Sequence, residues 1–218
     1  MRFLVLVCVG LFSFKKALGQ ETVQGSSGWY TYVGNYRLSP LWGLHFDSQV
    51  RLKSLTGDLQ QWKNRVALNR QVKSNRTAST GYAFAILGGD ERRYEHRVYQ
   101  QWIRRAPWKY ADAAHRVRLE QRWIDGVFQL RTRYSVRATR TLTPKGDWYV
   151  GLGNEYQYRL SEGRTDQNRA NFGFGRKLGQ NLSLEASYIN QFVPGKERNQ
   201  MNHILQLSIL THLTIDWD

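Results

Sequence analysis

Residues 42–53, Trp-Gly-Leu-His-Phe-Asp-Ser-Gln-Val-Arg-Leu-Lys, decide the fold class of the chain. Apolar side chains stand at every second position, with Ser48 the only interruption: Trp42, Leu44, Phe46, Val50 and Leu52. The positions between them carry glycine, polar or charged side chains: Gly43, His45, Asp47, Gln49, Arg51 and Lys53. Because successive side chains of a strand point to opposite faces, this stretch predicts a β-strand with one apolar and one polar face.

The same alternation recurs along the rest of the chain, in about eleven segments separated by turn signals such as Asp125-Gly126 and Pro194-Gly195. Many of these segments are about 10–13 residues long. Strands of soluble proteins average about 5–6 residues, whereas a tilted strand that crosses a bilayer needs about 9–11. The segment length therefore favours a membrane barrel.

The aromatic and charged residues indicate which face points outward. Seven aromatic residues or pairs lie near segment ends, where interfacial girdles are expected: Trp29 with Tyr30, Trp42, Trp62, Trp102, Trp123, Trp148 and Trp217. The polar faces are rich in arginine, and the chain has 23 Arg against 9 Lys. Since a guanidinium can bridge several acceptors, this composition suits a narrow lumen of paired charges, with the apolar face toward lipid.

A sheet that spans hydrocarbon must close on itself, because lipid offers no partner to an unpaired backbone amide. Bacterial single-chain barrels have an even number of strands as a rule. The sequence thus predicts an all-β fold, a closed antiparallel up-and-down transmembrane β-barrel of 10 or 12 strands, over residues 28–218.

The N-terminus is typical of an exported protein. Residues 1–19 have a positive start at Arg2, an apolar run over residues 3–14 and small residues before a cut ahead of Gln20, which predicts a signal peptide. Residues 20–27 would form a short N-terminal lead. The expected location is the outer membrane of a Gram-negative bacterium.

Removal of the signal peptide changes the composition. The full chain has 32 basic and 17 acidic residues, a formal charge of +15. Loss of Arg2, Lys15 and Lys16 would leave +12, and loss of Cys8 would leave no cysteine. A high charge can indicate a nucleic-acid partner. Here the export signal and the placement of arginine on strand faces argue against one, and the expected partners are outer-membrane lipids, with protein partners unknown.

Several runs combine the barrel alternation with polar residues at fixed places. They are residues 94–101 (Tyr-Glu-His-Arg-Val-Tyr-Gln-Gln), 116–122 (Arg-Val-Arg-Leu-Glu-Gln-Arg), 131–134 (Arg-Thr-Arg-Tyr), Asn154-Glu155, residues 166–169 (Asp-Gln-Asn-Arg) and Asn202-His203. With these runs the chain resembles domain of unknown function 2490, an uncharacterised family of predicted Gram-negative outer-membrane barrels, over about residues 28–215. The resemblance implies a location and a fold, and no activity.

The polar faces supply a candidate charge network in the lumen. Its members are Glu95, Arg97, Arg116, Arg118, Glu120, Arg122, Arg131, Arg133, Arg137, Glu155 and Arg169. One interpretation is a lumen that attracts anions or binds an acidic group. The other is a structural network that fills a small barrel with paired charges and holds it rigid. Structural support or passage of small anions is therefore the expected function.

Two alternatives stay open. His45 and Asp47 share the polar face of one strand and are the only weak candidates for acid–base catalysis, as in an outer-membrane hydrolase acting on lipid or peptide. No serine or second carboxylate is tied to them by spacing, so the sequence favours a protein that is not an enzyme. A soluble periplasmic binding barrel is the second alternative. No metal-ligand spacing stands out, and no cofactor is expected.

Overall fold

The computed structural model describes residues 21–89 and 91–215, which form eleven β-strands. The strands are β1 (Thr22–Arg37), β2 (Trp42–Lys53), β3 (Leu59–Lys73), β4 (Arg76–Leu87), β5 (Arg93–Pro107), β6 (Asp112–Ile124), β7 (Val127–Thr141), β8 (Trp148–Arg159), β9 (Arg164–Lys177), β10 (Leu182–Val193) and β11 (Asn199–Thr214). The predicted signal peptide and Trp217 lie outside the described residues. β1 begins inside the segment predicted to be an N-terminal lead.

The strands form a closed barrel in which each strand pairs with its neighbours in sequence, and β1 pairs with β11. The prediction of 10 or 12 strictly antiparallel strands is wrong, because the described residues contain eleven strands and the closing pair is parallel. Short turns reverse the chain at every step, so an odd number of strands leaves the first and last pointing the same way. The parallel seam runs over sixteen residues of each strand, from Thr22 opposite Asn199 to Arg37 opposite Thr214.

The seam joins the two longest strands of the barrel. β1 and β11 each have 16 residues, against 12–15 in the others. Parallel pairing is slightly less stable per residue than antiparallel pairing. The extra length therefore offsets the weaker geometry at the point where the barrel must close.

The exterior of the barrel is apolar on every strand. Exposed large apolar side chains occur on β1 through β11 in turn: Tyr30, Trp42, Val66, Tyr82, Val98, Val117, Tyr134, Leu152, Phe172, Tyr188 and Leu207. The interior is polar and charged, and Glu120 is fully buried there. A soluble barrel buries its apolar face, so this distribution is the reverse of the one expected in water.

One tryptophan departs from the predicted girdle. Trp42, Trp62, Trp102 and Trp123 are exposed on the outer face, as the alternation predicts. Trp29 is only 4 % exposed and faces the interior. Because aromatic residues occupy both faces of β1, the alternation does not show which face of this strand points inward.

The turns divide the barrel into two ends. One end carries the turns 38–41, 74–75, 108–111, 142–147 and 178–181, and the other carries 54–58, 88–92, 125–126, 160–163 and 194–198. The tightest turn of the second end is Asp125-Gly126, where both residues have positive φ, 47° and 81°. Positive φ at both positions is the geometry of a type I′ hairpin, which favours the Asp-Gly sequence.

The described residues include one short helical segment, the 3₁₀ turn Leu160–Glu162. No helix in the described part of the chain is long and apolar enough to cross a membrane.

Candidate functional site

The two ends of the barrel differ sharply in charge. Each end is taken as its turns together with the four nearest residues of every strand. The end with the turn 108–111 carries eleven basic residues: Arg37, Arg70, Lys73, Arg76, Arg104, Arg105, Lys109, Arg140, Lys145, Arg176 and Lys177. Its acidic residues are Asp112, Asp147 and Glu185. We refer to it as the basic end.

The opposite end is close to neutral. Its described residues comprise nine basic side chains (Arg51, Lys53, Arg92, Arg93, Arg122, Arg159, Arg164, Lys196 and Arg198) and eight acidic ones (Glu21, Asp58, Glu91, Glu95, Asp125, Glu162, Asp166 and Glu197). We refer to it as the balanced end. Arg159 and Arg164 donate hydrogen bonds to Glu162 in one of its turns, and these bonds hold the pKa of that carboxyl below its ordinary value.

Glu120 on β6 is the centre of the interior charge network. Its carboxylate lies within ion-pair distance of four guanidinium groups: Arg97 (Nη1–Oε1, 3.2 Å), Arg118 (Nη1–Oε1, 3.6 Å), Arg131 (Nη2–Oε2, 2.6 Å) and Arg133 (Nη1–Oε1, 2.9 Å). The four arginines come from β5, β6 and β7, whose inward positions are brought side by side by the antiparallel register. A fully buried carboxylate is stable only with such partners.

Glu155 on β8 extends the network away from Glu120. It accepts from Arg133 (Nη2–Oε2, 2.6 Å) and Arg116 (Nη2–Oε2, 2.9 Å), and Arg169 Nη1 lies 3.6 Å from its Oε1. Gln157 also donates to it, at 2.6 Å. Arg133 therefore bridges two buried carboxylates, which a guanidinium can do with its several donors and an ammonium does less well.

Glu95 and Asp166 extend the network toward the balanced end. Arg97 Nη2 and Arg122 Nε donate to Glu95 Oε1 at 2.6 and 2.7 Å. Arg131 Nη1 donates to Asp166 Oδ2 at 2.7 Å. Nearer the basic end, Arg137 on β7 donates to Glu185 on β10 at 2.7 Å. All eleven residues of the sequence-derived network face the interior and take part in at least one ion pair.

Sequence reasoning missed further interior charges. Lys63 and Arg65 on β3 share the alternation that identified the others, and this signal was present in residues 59–73. Cationic groups outnumber carboxylates in the interior. The buried or half-buried inward cations are Arg51, Lys63, Arg65, Arg97, Arg116, Arg118, Arg122, Arg131, Arg133, Arg137, Arg159 and Arg169, against Asp47, Glu95, Glu120, Glu155, Asp166 and Glu185.

Side chains close the middle of the barrel. Tyr99, Glu120 and Gln157 are completely buried, and Arg118 is 2 % exposed. The Arg118 guanidinium lies over the Tyr99 ring, 4.3 Å from its centroid, and donates to Gln101 at 2.6 and 3.0 Å. The network thus forms a packed layer between the two ends.

Trp29 anchors the part of this layer next to the seam. Two guanidinium groups lie over its ring, with the Cζ of Arg51 3.8 Å and that of Arg169 5.0 Å from the ring centroid. Ile189 and Ile204 pack with it in a small apolar cluster. Cation–π contacts of this kind gain strength where water is excluded.

His45 and Asp47, the weak catalytic candidates, lie together inside the barrel. His45 Nε2 is 3.2 Å from Asp47 Oδ2, and its Nδ1 is 2.8 Å from Asn35 Oδ1. Arg65 Nε donates to Asp47 at 2.5 Å. Both ring nitrogens of His45 are engaged with an amide or a carboxylate. A general base needs a nitrogen aimed at the proton it removes, so this geometry suits a structural contact better.

A cavity of about 480 Å³ opens at the basic end. Its lining combines aromatic, basic and hydroxyl side chains: Trp108, Lys109, Tyr110, Asp112, Thr139, Tyr149, Lys177, Ser183 and His212 are among them. The Trp108 and Tyr110 side chains, on the turn between β5 and β6, are 52 % and 65 % exposed. We call this cavity the vestibule.

Three glycines on the inner face of β8 and β9 lie beside Tyr149, a residue of the vestibule lining. Gly151 on β8 faces Gly173 on β9, and Gly175 faces Tyr149. A Cβ on Gly151 would come within 2.6 Å of Arg137 Nη2, and one on Gly175 would collide with the Tyr149 ring. The missing side chains therefore make room for the Arg137 guanidinium and for the Tyr149 ring, which lines the vestibule.

Within the described residues, no group of three or more histidine, cysteine or acidic side chains is arranged to hold a metal ion.

A family model described as "Protein of unknown function (DUF2490)" matches residues 26–202. The chain belongs to this family. Comparison with curated proteins found no match. Among solved structures, this family member is similar to a chain described as "KdgM porin in complex with disordered oligogalacturonate", at 14 % identity with a TM-score of 0.46, over 72 % of this chain and 80 % of that one. Similarity at this level carries no information about the ligand of the present protein.

Proposed function

We propose that the chain is an outer-membrane barrel protein that passes small anions slowly through its arginine-rich interior. The observation that carries the proposal is the distribution of charge. The barrel is apolar outside on every strand, and its interior has twelve buried or half-buried cationic groups against six such carboxylates among the described residues. The apolar exterior supports a lipid environment, and the excess of cationic groups supports selection of anions.

Anions would enter the barrel from the basic end. Lys109 and Lys177 line the vestibule together with exposed aromatic rings. Positive potential at the mouth of a low-dielectric channel raises the local concentration of anions. From the vestibule an anion meets the network around Glu120, which would act as the constriction.

The packed middle layer favours a second candidate, a closed barrel in which the network has a purely structural role. Complete burial of Tyr99, Glu120 and Gln157 supports it. The two candidates differ in one measurable property, because passage requires the layer to rearrange and a structural role does not.

Planar-bilayer recording tests the proposal. The mature chain is refolded in detergent, and a heat-modifiable gel shift establishes the folded form. Under a KCl gradient, the wild type is expected to show small conductance steps with an anion-selective reversal potential. Cation selectivity would contradict the proposal, and a folded barrel with no conductance would favour the closed structural barrel.

Two matched double variants test which end of the barrel sets the ion selectivity. Lys109→Glu/Lys177→Glu reverses two charges in the vestibule and is expected to shift the reversal potential toward cations. Lys53→Glu/Arg92→Glu makes the same charge change at exposed positions of the balanced end. We expect the second variant to retain the wild-type selectivity. Equal shifts in both variants would show that the vestibule has no special part in selection.

A further inference from the structure

Arginines also mark the outer face of the barrel, and they do so at one end only. Arg70, Arg76, Arg104 and Arg176 occupy outward positions of β3, β4, β5 and β9, all close to the basic end. None of them forms an ion pair with a carboxylate among the described residues. At the same depth near the balanced end, the outward positions hold apolar or aromatic residues such as Tyr94, Trp123 and Phe128.

Three of these arginines lie close enough to repel one another. Arg76 and Arg104 are direct cross-strand partners, and Arg70 lies on the next strand, diagonal to Arg76. Side chains of direct partners start about 5 Å apart, and like charges at such positions destabilise a sheet. An anion with more than one negative group would remove this repulsion by binding between them.

A groove lies beside the arginines on the same outer face. It has a volume of about 410 Å³ and is lined by Trp102, Arg104, Ala106, His115 and Val117. Ala106 faces Ala113, and Ala113 faces Ala138, so three small side chains in a row deepen the surface across β5, β6 and β7. The His115 ring contacts the Tyr134 hydroxyl at 2.8 Å. The groove is apolar along its floor and has a guanidinium at its edge.

The position of the site restricts its occupant. It lies on the exterior, beside side chains such as Trp102 and Val117 that would contact acyl chains in a bilayer. A water-soluble anion would meet the arginines without using the groove, whereas a lipid offers charge and hydrocarbon together. Nearby, Arg70 stacks on Trp42 and Arg176 on Trp148, with centroid distances of 5.5 and 5.0 Å, as expected at the level of lipid head groups.

We propose that Arg70, Arg76 and Arg104, with the neighbouring groove, bind a glycolipid that carries more than one phosphate group. The phosphates would bridge the three guanidinium groups, and an acyl chain would lie along Trp102, Ala106 and Val117. Arginine suits this role because its planar fork matches phosphate geometry. The inference rests on the proposed membrane location and is independent of anion passage.

Lipid binding to the refolded full-length mature barrel tests the site. Native mass spectrometry and a titration would compare bisphosphorylated lipid A, its monophosphorylated form and phosphatidylglycerol. Arg76→Gln/Arg104→Gln is expected to weaken binding of bisphosphorylated lipid A by about tenfold or more, since two charge-assisted contacts are lost. Lys53→Gln/Arg92→Gln removes the same charge at the opposite end and is expected to leave binding unchanged.

The groove has its own variant. Ala106→Leu fills it without changing charge and is expected to weaken lipid A binding severalfold while preserving the heat-modifiable gel shift. Equal loss in the Lys53→Gln/Arg92→Gln control, equal binding of phosphatidylglycerol, or unaltered binding in Arg76→Gln/Arg104→Gln would each overturn the proposal. A chain that folds without detergent and does not enter lipid would instead contradict the membrane location itself.

Discussion

The two halves of the barrel interior differ in how completely side chains fill them. Toward the balanced end, long side chains meet across the lumen, and Glu120 and Glu95 are each held by more than one guanidinium. Toward the basic end, Gly151, Gly173 and Gly175 leave room for neighbouring side chains such as Tyr149, and a cavity lined in part by Tyr149 opens at the mouth. Paired charges thus fill the first half of the interior, and the second half keeps an open mouth.

This difference separates the residues that we expect to stabilise the fold from those that we expect to govern entry into the barrel. The packed half consists of buried charges that are stable only while every partner is present. The open half has exposed rings and unshared positive charge at its rim, which contribute little to stability. We therefore expect substitutions in the packed half to affect folding and those in the open half to affect what enters.

The largest effect is expected for Glu120→Gln. It removes the charge that four arginines share. Arg118 would lose its one ion pair among the described residues, while Arg97, Arg131 and Arg133 would keep Glu95, Asp166 and Glu155. Breaking a buried ion pair from one side costs roughly 3–5 kcal/mol. Urea unfolding of the refolded barrel, followed by the gel shift, should show a much lower midpoint.

The control for this substitution is Glu197→Gln, the same chemical change at an exposed turn of the balanced end. It should leave the midpoint where it is. If both variants unfolded at the wild-type midpoint, the network would not be a source of stability and the contrast between the halves would fail.

An intermediate effect is expected for Gly175→Val in the vestibule wall. The new side chain would displace the Tyr149 ring into the cavity. Overpacking of this kind costs about 1–3 kcal/mol, and the ring would also narrow the vestibule. Urea unfolding and single-channel recording together should report a modest loss of stability and a smaller conductance.

Ala170→Val serves as its partner variant, because Ala170 is exposed on the outer face of the same strand. The Ala170→Val substitution adds similar volume at a position that faces away from the interior. A conductance that fell equally in both variants would argue against a vestibule wall shaped by glycine.

The smallest effect on stability is expected for Tyr110→Ala. The ring is 65 % exposed at the vestibule rim, and surface substitutions of this kind change stability by less than about 0.5 kcal/mol. An unfolding midpoint well below that of the wild type would show that the rim is part of the packed structure.

Much of this architecture could be predicted from the sequence. The bounds of β2 agree with the alternating stretch 42–53, and the turn signals yield about eleven segments. The predicted strand number was wrong because the count of about eleven segments was changed to 10 or 12 to satisfy the even-number rule. That rule describes other barrels, while nothing in the physics of closure forbids a parallel seam.

The remaining misses have a common cause. Alternation assigns each side chain to a face only where one face is clearly apolar. In β1 both faces carry aromatic rings, so the inward position of Trp29 could not be read from the pattern. The vestibule could not be predicted either, because its lining residues come from several strands and one turn that only the register and the closure of the barrel bring together.

The central claim is that the apolar face of each strand meets lipid while the charged face lines the interior. The predicted mature chain has no cysteine, so single cysteines can be labelled without interference. Fluorophores would be placed at Leu44, Phe46 and Val50 on one face of β2 and at His45 and Arg51 on the other. Quenching by lipids with brominated acyl chains is then measured in vesicles. We expect strong quenching at the first three positions and little at the other two, and the reverse pattern, or no alternation, would contradict the account.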